Sequence, residues 1–243
     1  MLKKAIRNII LKCTAYLFNN RDSKVLFYHD VHCGAQYTEM STTLKKFQKH
    51  IAAIHLLDFE IVADISKKTG QVKIQFDDGF KGVYDCIDFI KKHKIPIEIF
   101  IVTSWIGKEG YLSEKEIKEL QASNLIRFSS HTHTHPNLGE INENEIRDEL
   151  STSKRFLESI TGEEVKSLCF PKGSFSNPVI EIAEELGYKE QYSSLPGSSH
   201  DLFQGKVVRR NLLQFASVSE LKSVLKGAHM IFNRKYLSRQ FKR

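Results

Sequence analysis

The chain has 243 residues, 41% hydrophobic and 27% charged, with 36 Lys and Arg against 29 Asp and Glu and a net charge of +7. That is an ordinary composition for a soluble globular protein, and enough chain for one α/β domain with a small appendage. The basic surplus is dispersed except at the N-terminal segment and residues 234–243, and no nucleic-acid motif spacing occurs, so no nucleic-acid partner is expected.

Residues 1–23 read as a basic amphipathic segment. As a helix it separates Ile6, Ile9, Ile10, Cys13 and Leu17 from Lys3, Arg7 and Lys12, which suits a membrane interface and equally suits packing on the domain. Arg7, Asn8 and Lys12 interrupt what would be a signal-peptide core, and the run is too short for a membrane span. Lys24 to Tyr28 is a strand ending at His29, and Leu44 to Leu57 is a helix with Leu44, Phe47, Ile51 and Ile54 in register. Val72 to Phe76 is a strand and Asp77-Asp78-Gly79 the turn leaving it. Phe80 to His93 reads as one helix, and Pro96 to Val102 as the next strand. Ser113 caps a helix with Glu116 at capping-box spacing. Leu125 to Phe128 is a strand running into His131, and Asn142 to Ile160 a long amphipathic helix stopped by Gly162. Val165 to Phe170 is a strand, Pro171 to Ser174 a turn, and Asn177 to Leu186 a helix. Tyr188 to Ser193 and Lys206 to Arg210 are late strands, and Ser219 to Lys226 a short helix.

Strand and helix alternate through most of the chain, which argues for parallel strands with helices outside, as an open sheet or a barrel. With no repeat or linker, one domain is expected over residues 24–227, followed by a basic tail, 228–243. In such sheets the residues just past the strands' carboxyl ends converge on one face. His29, Asp77, Asp78, His131 and the Pro171 turn all hold such positions.

Adjacent carboxylates at Asp77 and Asp78, with imidazoles four positions apart at His131 and His135, offer two nitrogens and one oxygen to a divalent metal. A second carboxylate is left free beside it, which is the inventory of a hydrolytic metal site. Each run alone is ordinary, since Asp and Gly are common in turns and His133 reads as a loop bystander. Trp105 and Tyr111 have ring faces for sugar stacking but equally suit a core or rim. His32, His50, His55 and His93 read as structural. Cys13, Cys33, Cys86 and Cys169 form no CxxC pair and read as reduced thiols of a cytoplasmic protein.

These runs resemble the polysaccharide deacetylase family (NodB-homology, carbohydrate esterase family 4). Gln75 to Gly79 resembles its T-F-D-D-G-like run with Gln for Thr, His131 to Pro136 its H-[ST]-x-x-H-P run, and Phe170 to Gly173 its third, Pro- and Gly-containing turn. The resemblance covers roughly residues 24–227 and implies a single-domain, distorted or incomplete (β/α)-barrel. It implies Asp77 as general base, Asp78, His131 and His135 as metal ligands, and the amide of Lys172 as an oxyanion donor. Two family elements are out of place. Leu168 stands where an Arg usually tethers the base, for which Arg209 or Arg210 is the candidate replacement. The final Leu-x-His strand has no late counterpart, since neither His200 nor His229 fits. Val25 to Asp30 resembles that strand moved to the front, as in the circularly permuted exopolysaccharide-deacetylase branch, which makes His29 the general acid.

The resemblance implies removal of N-acetyl groups from amino sugars of a polysaccharide or glycan precursor, with acetate released and an N-acetylated glycan as partner. An O-acetyl esterase or other amidase on the same scaffold is the first alternative, and a non-catalytic glycan-binding protein the second. The ligand set suits zinc, with nickel, cobalt or manganese as alternatives. The expected location is the cytoplasm, peripheral at the inner membrane face through the basic N-terminal helix. The extracellular space or cell envelope is the alternative.

Overall fold

The computed structural model describes residues 2–242, with side chains described throughout that span except at residues 2–8, 12 and 229. The chain opens with helix α1 (Leu2–Phe18) and strand β1 (Lys24–Tyr28), then a small parallel pair, β2 (Asp30–His32) and β3 (Ser41–Thr43), and helix α2 (Leu44–Leu56). Strands β4 (Glu60–Ile61) and β5 (Gln71–Phe76) lead to the short helices α3 (Gly82–Asp85) and α4 (Ile87–Lys92). Then follow β6 (Ile97–Ile101), α5 (Glu114–Gln121), β7 (Ile126–Ser130), α6 (Glu143–Thr161), β8 (Ser167–Cys169) and α7 (Asn177–Glu185). The chain ends with β9 (Glu190–Tyr192), β10 (Val207–Val208), β11 (Arg210–Leu212), α8 (Val218–Leu225) and α9 (Asn233–Gln240).

Helix limits follow local chemistry. Capping boxes at Ser113/Glu116, Asn142/Glu145 and Ser217/Glu220 start α5, α6 and α8 by satisfying orphan N–H groups, and Gly162 at φ 69° ends α6. The helix expected over Phe80 to His93 is two, because the backbone leaves helical geometry at Cys86 (φ −100°, ψ 14°).

Nine strands form one parallel sheet in the order β10-β9-β8-β7-β6-β5-β1-β11, with β4 on the start of β5. No hydrogen-bonded pairing joins β10 to β11 among the described residues, so the barrel is incomplete. Its two faces differ. Val72, Ile74 and Phe76 of β5 join the main core cluster, together with Phe47 and Ile54 of α2 and Leu150 and Leu157 of α6. The alternate residues Gln71, Lys73 and Gln75 are buried as well, as is Glu98 of β6. The enclosed face of the sheet is therefore polar, with only a small apolar cluster of Val25, Phe100, Cys169 and Tyr192.

Two further expectations need revision, and one open alternative is decided. The run read as one strand at Lys206 to Arg210 is two: β10 pairs β9, and after Arg209 the chain crosses to pair β11 with β1. Residues 228–240, read as a basic tail, fold as a 3-10 turn (Ala228–Phe232) and α9, and contact the Pro171 turn through Gln240. Helix α1 packs on the domain through Leu11, Thr14 and Ala15, the first and last of which cluster with Ala228. Of the two readings of its apolar stripe, packing on the domain is not the one observed, since Ile9, Ile10, Cys13 and Leu17 are exposed together with Tyr16 and Phe18. The side chains of Lys3, Ile6, Arg7 and Lys12 lie outside those described.

Candidate active site

Parallel pairing of β5 with β1 and β6, and of β6 with β7, sets the carboxyl ends of these strands side by side. His29, Asp77, Asp78, His131, His135 and Lys172 meet there around a cavity of about 520 Å3. Its walls are largely apolar, among them Met40, Leu212, Phe215, Phe232 and Tyr236.

The turn after β5 holds Asp78 at φ 73° and Gly79 at φ 79°. The left-handed backbone at Gly79 favours glycine, and a Cβ there would also lie 2.7 Å from Ile101 Cδ1, so that side chain would have to shift. His135 and Lys172 also have positive φ, so three of the nine described non-glycine residues in this region of φ line the cavity, and Thr132, a fourth, lies in the loop that carries His135. The loop between β7 and α6 is tied down by Glu149, whose Oε2 accepts from the amides of His133 (2.9 Å) and Thr134 (2.8 Å). Thr132 Oγ1 accepts from the His135 amide at 3.0 Å.

His131 Nε2 and His135 Nε2 each lie 3.5 Å from Asp78 Oδ1, a buried oxygen with no hydrogen-bond partner. Burial lowers the pKa of both imidazoles, that of His135 to about 3, so both are neutral and their lone pairs are free. His131 Nδ1–H donates to the Cys169 carbonyl at 2.8 Å, which fixes Nε2 as the outward nitrogen. Tetrahedral ligands about 2.1 Å from a divalent ion stand about 3.4 Å apart, close to the spacing seen here. The trio therefore fits a divalent metal. Asp77, His131 and Cys169 also lie close together, but both Asp77 oxygens and the Cys169 sulfur already accept from Arg210.

Arg210 is fully buried and every N–H it has is matched. Nε donates to Ser193 O (2.9 Å), Nη1 to Asp77 Oδ1 (2.7 Å) and Gln75 Oε1 (3.3 Å), and Nη2 to Asp77 Oδ2 (2.8 Å) and Cys169 Sγ (2.8 Å). Burial pushes the Asp77 carboxyl up, but the Arg210 charge and hydrogen bonds outweigh it and hold the pKa at about 2, so Asp77 is ionised at neutral pH. Asp78 has no such partner, and burial raises its pKa. Arg209 faces elsewhere, onto the Asp201 carbonyl and Asn233 Oδ1.

His29 Nδ1–H donates to Gln214 Oε1 in a very short contact, which leaves Nε2 for the cavity. In the Pro171 turn the Gly173 and Ser174 amides close onto Phe170 O and Pro171 O (2.9 Å each), and Lys172 sits between at φ 55°. His133 bonds Thr103 Oγ1 and stays out of the donor trio. Trp105 packs 5.1 Å from His135, ring centroid to centroid, and 5.1 Å from Tyr111, and so supports that imidazole. His200 is exposed, and the His229 side chain lies outside those described. Gln214 and Glu149 carried no motif. The one signal for Gln214 is a polar residue inside the apolar run Leu212 to Phe215.

The polysaccharide deacetylase family model matches residues 64–191, a span that includes Asp77, Asp78, His131, His135 and Lys172 and excludes His29 and Arg210. The chain is 25% identical over 186 residues to YxkH of Bacillus subtilis (strain 168), itself only provisionally named a polysaccharide deacetylase, over 72% of this chain and 65% of that one. It is 28% identical over 136 residues to the poly-beta-1,6-N-acetyl-D-glucosamine N-deacetylase of Staphylococcus aureus (strain MRSA252), over 50% of this chain and 47% of that one. The chain thus spans between about half and two thirds of these curated relatives. Among solved structures, IcaB from Ammonifex degensii superposes with a TM-score of 0.74 at 20% identity, over 86% of this chain and 98% of that one, which shows a shared fold.

Proposed function

The chain belongs to the polysaccharide deacetylase family, and from that membership we propose that it is a metal-dependent hydrolase removing N-acetyl groups from amino sugars of a polysaccharide or glycan precursor. One observation carries the reading: an Asp–His–His trio whose Asp78 Oδ1 has no hydrogen-bond partner, a carboxylate ionised against Arg210, and an imidazole on another strand open into the same cavity.

Asp78, His131 and His135 would hold the divalent ion, zinc being the first expectation and nickel, cobalt or manganese the others. Such an ion supplies Lewis-acid polarisation of a carbonyl and lowers the pKa of water. Asp77 takes the proton of the attacking water. The Lys172 N–H donates to the oxygen that becomes negative as the amide carbonyl turns tetrahedral. His29, oriented by Gln214, delivers a proton from Nε2 to the departing nitrogen, without which an amine does not leave.

The proposed place of action is the cytoplasmic face of a membrane. The support is the exposed stripe of Ile9, Tyr16, Leu17 and Phe18 on α1, in a segment rich in Lys and Arg. The test is acetate release from soluble N-acetylated oligosaccharides, β-1,6-linked N-acetylglucosamine included, from O-acetyl esters, and from lipid-linked glycans in anionic vesicles, each with and without chelator. Chelator-sensitive release from N-acetyl substrates is expected, together with co-sedimentation with the vesicles. Release from esters alone would establish the esterase alternative, no release would end the hydrolase reading, and protein left in the supernatant would end the membrane one.

A further inference from the structure

The enclosed face of β5 carries Lys73 and Gln75 where apolar side chains would avoid any desolvation cost. Lys73 Nζ lies 2.9 Å from Glu98 Oε2, with both side chains almost wholly buried. Attraction between two charges taken out of water at best offsets what their desolvation costs, so such a pair is weak evidence of a stabilising role. Its contacts suggest another role. Glu98 Oε1 accepts from Ser129 Oγ (2.5 Å), and Oε2 accepts from Gln75 Nε2 (2.8 Å). An amide has a donor end and an acceptor end. With Nε2 committed to an ionised carboxylate, Oε1 is the end that faces Arg210, whose Nη1 donates to it at 3.3 Å.

The remaining Arg210 donors go to Ser193, Asp77 and Cys169. The guanidinium carbon lies 4.1 Å from the Phe27 ring centroid and 5.5 Å from that of Phe100, contacts that hold it without setting its direction. Removing the Gln75 oxygen leaves one buried N–H without an acceptor and lets the fork turn. Because Arg210 grips both Asp77 oxygens, the carboxylate turns with it.

We propose that Gln75 is a positioning residue for the base: its amide, oriented by the buried Lys73–Glu98 pair, sets the rotation of Arg210 and thereby the direction in which Asp77 presents its carboxylate. The orientation stands on the buried contacts, whereas its effect on turnover rests on the deacetylase reading.

The test is Gln75→Leu, similar in length with no polar end, with Gln75→Asn as a second variant that keeps a polar group but is too short to bridge Glu98 and Arg210. Both should lower kcat about 10- to 100-fold, the scale set by small misplacements of a reacting group, with bound metal unchanged. KM should stay within about twofold, since a group acting only in the transition state leaves ground-state binding alone. In an Arg210→Lys background the Leu substitution should add no further loss, because its effect passes through the guanidinium. Equal losses in both backgrounds, or none in the wild type, would overturn the proposal. If the wild-type protein releases acetate from no substrate, the deacetylase reading fails and the orientation is judged on the metal-free protein. There the Arg210 Nε–H, held by Ser193 O, should give a slowly exchanging nitrogen-15-resolved proton signal that either variant broadens or loses. A signal unchanged in both would refute the orientation.

Discussion

Asp77 and Asp78 share one turn and differ in what meets them. Asp77 has Arg210 on both oxygens, while Asp78 Oδ1 faces two neutral imidazoles. The geometry thus separates a carboxylate held ionised from one free to bind a cation, and single substitutions should separate them too. His29→Ala should lower kcat about 10²- to 10⁴-fold, the range for loss of a general acid, with metal content intact. Asp78→Ala should lose metal on desalting, read by elemental analysis. Full turnover in the first variant, or full metal content in the second, would refute the roles. The donor trio was legible in the sequence because two short runs carry it whole. The Arg that holds the base was narrowed only to Arg209 or Arg210. Neighbours on an extended chain point to opposite faces, and which face is enclosed depends on how β11 pairs with β1. Gln214 lies 185 residues from the His29 it orients, and no local pattern links them.

Elements were legible wherever local chemistry fixes them. The capping box of α5, the extent of α6 with its stop at Gly162 and the apolar spacing of α2 correspond closely to what the residues predict. The division of residues 206–212 between two strands was not legible, because a short apolar run does not say which edge it joins. Helix α2 illustrates a tether invisible in the sequence. His50 Nδ1 accepts from Tyr28 OH at 2.9 Å and its Nε2–H donates to Ala216 O at 3.1 Å, so one neutral ring ties α2 to β1 and to the loop before α8. Burial, and next the charge of Lys46, lower its pKa from 6.5 to about 4, against smaller opposing effects of Ala216 O and Glu220. The folded pKa lies below the unfolded one, so the unfolded chain binds the extra proton first. Stability is therefore complete above pH 6.5 and falls as pH drops toward 4, by roughly 3 kcal/mol in all. His50→Gln, which can still accept from Tyr28 and donate to Ala216, should flatten the fall in unfolding temperature between pH 7 and pH 4. Parallel pH profiles for the two proteins would show that His50 is not the group responsible.

At the scale of the whole molecule, the last elements complete what the sheet leaves open. With no pairing between β10 and β11 among the described residues, α9 lies over the turn that carries Lys172. Phe175 N donates to Gln240 O (2.9 Å), Lys242 N donates to Phe175 O (2.8 Å), and Phe241 packs on Phe175 and Phe203 at centroid distances of 5.4 and 5.0 Å. Gly173 sits beneath at φ 69°, where a Cβ would be strained and would lie 2.6 Å from the Gln240 side chain, forcing that amide to move. The basic character of this segment suggested a solvated tail, yet Lys and Arg on one face of α9 leave Tyr236, Leu237 and Phe241 free to pack. Tyr236 and Gln240 line the cavity, whereas none of the proposed metal ligands, nor the proposed base or acid, comes from this segment. Deleting residues 233–243 should therefore separate substrate binding from chemistry. The free energy of unfolding should fall by about 3 kcal/mol or more through loss of the packed Phe241 and its backbone bonds. KM should rise well beyond any fall in kcat, as expected when a wall that binds substrate and transition state alike is removed. A fall in kcat at unchanged KM would instead mean that α9 acts through the Pro171 turn, holding the Lys172 amide in place, and that its side chains do not meet the substrate.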